Sequence, residues 1–495
     1  MSGIVGVASE IDCLQDAYFA ADYHSHCGTE YGGIAVSDGE RVVRRVHSIR
    51  RTQFKSKFDN DIDFQTFHGN KAIGVVSDRD YQPIIAKLKF GDYAIAGAGY
   101  IDNQDDLANK LISEGESFTE VKDGKVNQIE LASKLINKGD NLIDGINKMN
   151  SQIDGSMSLI LLNKNGIYAA RAKYGHTPLT LAEKTTEGKK SQLVALATCS
   201  YKNLGFKIKR FLGPNEIIYL DGKNEKQLQK PGELTQLCAF LYIYTGFPSS
   251  EVEGLNIAEY REKAGRIMAQ RENVKLDGIW GVQDSGLIYA FGFANESKVP
   301  IAPVAFKYTP GWGRSYTPPT QKLRDLIATM KQIAVSGALI DGKILGITED
   351  SIVRGTQLEN FYLAKLWTEG AKGLHIRPAC PSLMYPCKDL FSTRSTDELF
   401  ARKVLFEING RNLSDIEIKP YLDTNSEQYD SMIKLMEERM MKNSLRTAGL
   451  NPEGKSFSLR YQKLEDMIEL TGKKKENLCT YCWDGCRPQR CSKGL

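Results

Sequence analysis

No stretch of the 495-residue sequence approaches the roughly 18 consecutive apolar residues that a membrane-spanning helix needs. Its first residues, MSGIVGVASEIDC, lack the charged segment and long apolar run of a secretory leader. A cytoplasmic protein with no membrane partner is therefore expected. An excess of one charge is missing as well: 65 Lys and Arg stand against 61 Asp and Glu, a net charge of +4, and the two signs are mixed along the chain. Without a basic arm, nucleic acid is not an expected partner. No internal repeat or low-complexity tract stands out. With 41% apolar residues the chain can bury a sizeable core. At roughly 100 to 200 residues per domain, two or three units are expected.

What is present divides into two patterns. Residues 1–236 carry short β-rich runs, among them GIVGVA, YGGIAVS, AIGVVS, YAIAGAG, SMSLILLN, GIYAARA, LVALATC and NEIIYLDG, separated by Gly, Asn and Asp turns. Two or three helices interrupt them; NQIELASKLINK has an apolar stripe at Ile129, Leu131, Leu135 and Ile136, and DNLIDGINKMN is a second candidate. This pattern predicts an α+β sandwich of antiparallel sheets. From residue 237 onward strands alternate with helices. DGIWGVQDSG, PIAPVAF, GKILGITED and KGLHIRPAC read as strands, with GTQLENFYLAKLWTEGA as an intervening helix. Nearly continuous apolar strands predict a parallel sheet covered on both faces, with ligands beyond the carboxyl ends of the strands. The domains expected are 1–236, 237–440 and a helical, Cys-rich segment 441–495.

The stretch LGITEDSIVRGT places two acids, Glu349 and Asp350, at such a strand end, followed by Ser351, Ile352, Val353, Arg354, Gly355 and Thr356. Backbone N–H groups and hydroxyls where a strand turns into a helix form a phosphate site. The paired carboxylates would repel that phosphate, but they can take the vicinal hydroxyls of a sugar, directly or through Mg²⁺. A ribose beside its own 5′-phosphate satisfies both halves. The competing reading is an ordinary helix-capping loop.

TEDSIVRGTQ closely resembles the phosphoribosyl pyrophosphate (PRPP) motif of type I phosphoribosyltransferases, and in particular the VDDSIVRGTT of the glutamine PRPP amidotransferase family. Three further segments resemble that family in order: VQDSGLIYAFGFA its pyrophosphate loop, GWGRSYTPPTQKLR its loop that closes over PRPP, and MKQIAVSGALIDGK its KLNP stretch. The resemblance implies PRPP contacts at Asp284, Ser285, Gly286, Glu349, Asp350, Ser351, Ile352, Val353, Arg354, Gly355 and Thr356, Mg²⁺ at Glu349 and Asp350, and catalytic cations at Arg314 and Lys331. Gly313, Gln321 and Arg324 also match. Gln283, Pro310 and Gly311 depart from the family, and the Tyr replaced at Gly311 helps build the family's ammonia channel.

The first half resembles the class II glutamine amidotransferase domain, an N-terminal-nucleophile fold: SGIVGV is similar to its CGIVGI, GAGYIDNQDDL to its HNGNLTN, and RAKYGHTPL to its RDPxGxRPL. In that family an N-terminal Cys attacks the glutamine amide with its own α-amine as base. Here the nucleophile position is Ser2, the Arg position Ser77, the oxyanion Asn position Ala98 and the amine-holding acid position Gln128, with Glu130 retained. Loss of one oxyanion donor alone costs about 10²- to 10³-fold in rate. The glutaminase half-reaction is therefore expected to be lost.

CTYCWDGC gives Cys479 and Cys482 the spacing that lets two thiolates reach one metal or cluster, and Cys486 and Cys491 could complete a zinc knuckle. Cys238 and Cys387 resemble, with Cys479 and Cys482, the ligands of the iron-sulfur subclass, which implies a structural 4Fe-4S cluster. Cys13, Cys27, Cys199 and Cys380 are expected as buried thiols. The reading as a whole is an amidophosphoribosyltransferase-like enzyme of purine biosynthesis that makes 5-phosphoribosylamine and pyrophosphate from PRPP and ammonia, its own or supplied by another subunit. A homo- or hetero-oligomer is expected. The alternative is an incomplete paralogue that regulates or scaffolds a catalytically complete partner.

Overall fold

The computed structural model describes residues 2–50, 52–59, 67–308, 332–335, 337–356, 358–390, 393 and 395–487. The chain divides into two compact units. The first comprises Met1–Cys238, Phe247–Gly254 and Lys388–Ser392; the second comprises Ala239–Gly246, Leu255–Cys387 and Thr393–Leu495.

In the first unit, strand Gly3–Ser9 pairs antiparallel with Lys71–Ser77 on one side and Lys189–Ala195 on the other. It is buried along its whole length because both of its faces are covered. Ile4 and Ala8 enter the core shared with the second sheet, whereas Val5 and Val7 pack with helix Leu14–Tyr23 and Phe54. Strand alternation thus explains an apolar run with no polar face. Among the described residues this sheet has seven strands and its partner six, the latter built around Gly91–Ile101 and Gly155–Leu162. Helix Gln128–Asn137 covers the outer face of the second sheet; Asn127 caps it by accepting the N–H groups of Ile129 and Glu130. Its expected stripe, Ile129, Leu131, Leu135 and Ile136, is buried, as are Leu142, Ile146 and Met149 of helix Leu142–Gln152. The result is the expected α+β sandwich of an N-terminal-nucleophile fold. Helices Leu14–Tyr23 and Gln104–Ser113 add to those read from the sequence. The first is rich in Ala and is buried on one face, so its periodicity is faint.

The second unit holds a parallel sheet in the order Gly278–Gly281, Ile344–Glu349, Gly373–Pro378, Ser456–Leu459. This is the α/β type I phosphoribosyltransferase architecture expected. Three of its strands were legible; two features correct the reading. PIAPVAF does not form a strand of this sheet. Ile301 makes one isolated parallel bridge to Ile279, and Ala305–Lys307 pairs antiparallel with Gln332–Ala334. Pro300 and Pro303 lack the N–H groups that a continuous ladder needs. The fourth sheet strand is instead Ser456–Leu459, whose alternating Ser residues conceal it. The expected boundary at 440 falls inside helix Glu427–Ala448, whose Met432, Met436, Met440 and Leu445 join the same core as Leu345, Ile347, Leu374 and Ile376. The segment after 440 is therefore part of the second unit.

At the outer side of this sheet Arg377, 1% exposed, makes a two-pronged ion pair with Glu272, at 2.7 and 3.0 Å. Burial raises the Glu272 carboxyl, but the Arg377 contacts outweigh it and hold the group below its usual range. This pair therefore adds stability above the unfolded carboxylate's pKa and loses it as pH falls through the depressed folded value. Glu272→Ala, which strands the buried guanidinium, is expected to cost about 3 to 5 kcal/mol, read as a shifted urea midpoint, while removing the exposed Glu259–Lys263 pair costs under about 1 kcal/mol.

Candidate functional site

In the second unit the strand Ile344–Glu349 runs between two parallel neighbours and delivers Glu349 at its carboxyl end, in register with Pro378. Thr348, one residue earlier, donates its hydroxyl to the carbonyl of Gly286 at 2.8 Å, and Val282 N–H donates to the Thr348 carbonyl at 2.9 Å. These bonds hold the 282–286 loop against the same strand end. Glycine is required at 286: a Cβ there would come within 2.3 Å of the Thr348 carbonyl oxygen. Ser285 then donates to Glu349 Oε1 at 3.0 Å, and helix Leu287–Ser297 begins. Asp284 pairs with Lys307, whose backbone N–H donates to the Gln283 side chain. The sequence carried no signal for that role of Lys307.

Glu349 and Asp350 are 9% and 5% exposed. Ser351 Oγ donates to Asp350 Oδ1 at 2.6 Å, and the Asp350 N–H to Glu349 Oε1 at 3.1 Å. Burial and then the neighbouring Asp350 push the Glu349 carboxyl well above its usual range. The pair is thus short of positive charge, and its oxygen donors suit a hard cation such as Mg²⁺. Beyond it, Ile352 is anchored in the core, Val353 accepts the N–H of Phe400 at 2.7 Å, and Gly355 turns the chain at φ +77°, a left-handed conformation that favours glycine. Arg354 is half exposed and pairs with Glu398 at 2.7 Å, so its guanidinium is engaged outside the acid pair. Thr356 opens the following helical segment. The expected Asp284, Ser285, Gly286 and Glu349–Thr356 therefore fall on two loops joined through one strand end. Arg314 and Lys331, with Pro310, Gly311, Gly313, Gln321 and Arg324, lie outside the described residues.

In the first unit Ser2 lies beside Ser77 because Gly3 pairs with Val76 across the first sheet. Ser2 Oγ donates to Ser77 Oγ at 3.1 Å and accepts from Gln82 Nε2 at 3.2 Å. Gln82, 1% exposed, is itself held by Gly97, whose N–H donates to it at 2.8 Å and whose carbonyl accepts at 3.2 Å. The place of Gln82 in this network was not read from the sequence; its one signal is its position between two strands. Ala98 is buried and offers only a methyl group. Gln128 accepts the Ile101 N–H at 3.2 Å and donates to Gln104, while Glu130 accepts the N–H groups of Thr119 and Glu120 at 3.0 and 2.9 Å.

Cys479 and Cys482 flank the start of the short helix Tyr481–Asp484. Met384 and Tyr385 N–H groups donate to the Cys482 carbonyl at 2.9 and 3.1 Å, which brings the chain leading to Cys387 alongside. Ala239, the residue after Cys238, donates its N–H to the Cys479 carbonyl at 3.2 Å. Phe240 packs on Trp483, with centroids 5.8 Å apart. Within the second unit the stretch after Cys238, the stretch before Cys387 and the Cys479–Cys482 stretch thus lie side by side, and thiolates are the donors that an iron-sulfur cluster takes. Cys491 lies outside the described residues. Among the described residues no helix is long and apolar enough to cross a membrane.

A family model described as a glutamine amidotransferase domain matches residues 68–197. The chain is 27% identical over 500 residues to the amidophosphoribosyltransferase of Methanothermobacter thermautotrophicus, covering 98% of this chain and 94% of that one. It is 29% identical over 425 residues to the amidophosphoribosyltransferase of Archaeoglobus fulgidus, covering 83% and 90%. The structure of the Bacillus subtilis glutamine PRPP amidotransferase complexed with ADP and GMP shares the fold, with a TM-score of 0.77 and 23% identity over 98% of this chain and 97% of that one. The likeness that the motifs implied therefore runs along almost the whole chain.

The buried acid pair predicts a pH signature. Because folding raises the Glu349 carboxyl, the folded protein binds a proton that the unfolded chain has released, and stability without metal falls as pH rises. Glu349→Gln is expected to raise the thermal midpoint of the metal-free protein at pH 8 and to flatten that slope. Magnesium, measured by calorimetry, is expected to bind the native protein more tightly as pH rises and to release protons as it does so.

Proposed function

We propose that the second unit binds PRPP and transfers its phosphoribosyl group to ammonia, giving 5-phosphoribosylamine and pyrophosphate in purine biosynthesis, and that the first unit has lost glutamine hydrolysis. The observation that carries this reading is the acid pair at the end of the Ile344–Glu349 strand, steadied by Ser285 and followed at once by the Gly355 turn. The turn offers backbone donors to the 5′-phosphate, and the acids take the ribose hydroxyls directly or through Mg²⁺. Ser285 and Gly286 face the pyrophosphate, and Lys307, now paired with Asp284, supplies a cation within that loop. Bound Mg²⁺ would spread the charge that develops on the leaving pyrophosphate. Arg314 and Lys331 are proposed for the same task from their motifs. Ammonia is already a nucleophile and needs no general base.

The loss of glutaminase rests on what surrounds Ser2. Its hydroxyl is engaged by Ser77 and Gln82, Ala98 gives no side-chain donor for an oxyanion, and Ser77 has no cation for a carboxylate. Cys238, Cys387, Cys479 and Cys482 would hold a 4Fe-4S cluster that pins the C-terminal stretch in place. The protein is read as cytoplasmic and oligomeric, with ammonia free or supplied by a partner subunit. A regulatory role beside a complete paralogue is the second reading, favoured by the Pro310 and Gly311 departures in the closing loop.

Pyrophosphate release from PRPP separates these readings. Turnover is expected with ammonium salts and absent with glutamine. Glutamine-dependent turnover by the protein alone would contradict the reading of the first unit. PRPP binding without turnover, alone or with the paralogue, would favour the regulatory role. Protein purified without oxygen is expected to contain about four iron and four sulfide per chain; stoichiometric zinc would contradict the cluster.

A further inference from the structure

Glu359 lies four residues beyond Gly355, in the helical segment Leu358–Leu363, and only 5% of it is exposed. Its N–H donates to the Gly355 carbonyl at 2.9 Å, so the residue is tied to the turn that closes the 351–356 loop. Its side chain returns to the same place: a Cβ on Gly355 would meet Glu359 Oε1 at 3.3 Å and the Phe400 ring at 3.0 Å. Glycine at 355 therefore answers two needs, the left-handed φ of +77° and the close approach of a carboxyl group from behind.

The two oxygens of that carboxyl differ. Oε2 accepts from Asn443 Nδ2 at 3.2 Å. Oε1 is buried and has no hydrogen-bond partner among the described residues. A buried, unpaired carboxylate oxygen is costly, and a carboxylate behind an anion-binding turn would repel the anion. Burial indeed pushes this carboxyl above its usual range. The charged groups around it come from two helices: Lys403 and Glu407 from Phe400–Asn409, and Arg439, beside Asn443, from Glu427–Ala448. Lys403 and Arg439 favour the charged form and Glu407 opposes it, and Arg439 is itself paired with Glu407. The cations thus offset part of the effect of burial, and a phosphate arriving on the loop adds negative charge that raises the carboxyl further.

We propose that Glu359 is a positioning residue of the phosphate loop, which supports the Gly355 turn and takes up one proton from solvent when a phosphorylated sugar enters, returning it when the sugar leaves. This rests on the reading of the loop as a sugar-phosphate site. Neutral Glu359 removes the repulsion and turns Oε1 into a donor or weak acceptor instead of a buried charge. Binding at this loop consequently weakens as pH rises, by up to about tenfold per unit for a one-proton linkage.

The test is calorimetry of the whole protein with ribose 5-phosphate, without magnesium, in buffers of different ionisation enthalpy between pH 6.5 and 8.5. The native protein is expected to take up more protons on binding than Glu359→Gln, and the variant to lose less affinity as pH rises. Equal proton uptake and equal pH slopes would overturn the role of Glu359 while leaving the loop reading intact. Absence of binding in both proteins would instead overturn the loop reading. Should Glu359→Gln fail to fold, Asn443→Leu removes the donor to Oε2 and drives the carboxyl further towards its neutral form. Its proton uptake is expected to fall in the same direction, and undiminished uptake would count against the proposal.

Discussion

Two carboxylates fixed side by side at the end of a buried parallel strand are the constraint on which the second unit turns. Glu349 and Asp350 repel each other in a place that excludes water, yet the backbone gives them no room to part. The structure meets this locally, with Ser285 and the Asp350 N–H directed at Glu349 and Ser351 at Asp350. Those donors lessen the repulsion without neutralising it, and Glu349 stays a reluctant acid. A site left short of cation in this way is suited to a ligand that arrives with one. The two loops that flank the acids are both pinned to that strand, so whatever the acids hold is presented to the 282–286 loop and to the Gly355 turn at once.

The first unit shows the opposite arrangement. Around Ser2 the polar groups answer one another: Ser77, Gln82 and the Gly97 backbone form a closed set, and Gln128 and Glu130 are likewise occupied by backbone N–H groups. Groups so satisfied hold the sandwich together. The fold of an N-terminal-nucleophile domain is therefore present with Ser2, Ser77, Ala98 and Gln128 at the positions that the motifs single out.

How far the sequence could be read depended on the range of the signal. Strands buried on both faces, such as GIVGVA and KILGITE, were legible because a short apolar run with β-branched residues and flanking turn residues favours a covered strand over a helix. The acid pair and its turn were legible because the residues are contiguous. Ser456–Leu459 was not, since a short strand with serines on one face looks like a loop until its neighbour is known. PIAPVAF misled for the converse reason: its apolar residues suggest a strand, and its prolines forbid the ladder. Lys307, Gln82 and Glu359 were invisible for a third reason. Each acts on a residue that folding, not the chain, brings close, or through a glycine whose missing side chain leaves the space.

The central claim is that the acid pair and the adjoining turn grip a phosphorylated ribose. A crystal soaked with PRPP and magnesium tests it most directly. The account predicts density for the ribose hydroxyls and the cation at Glu349 and Asp350, with the 5′-phosphate on the backbone of residues 351–356. An empty pocket in crystals that are saturated with both, or a PRPP molecule bound elsewhere on the chain, would contradict it.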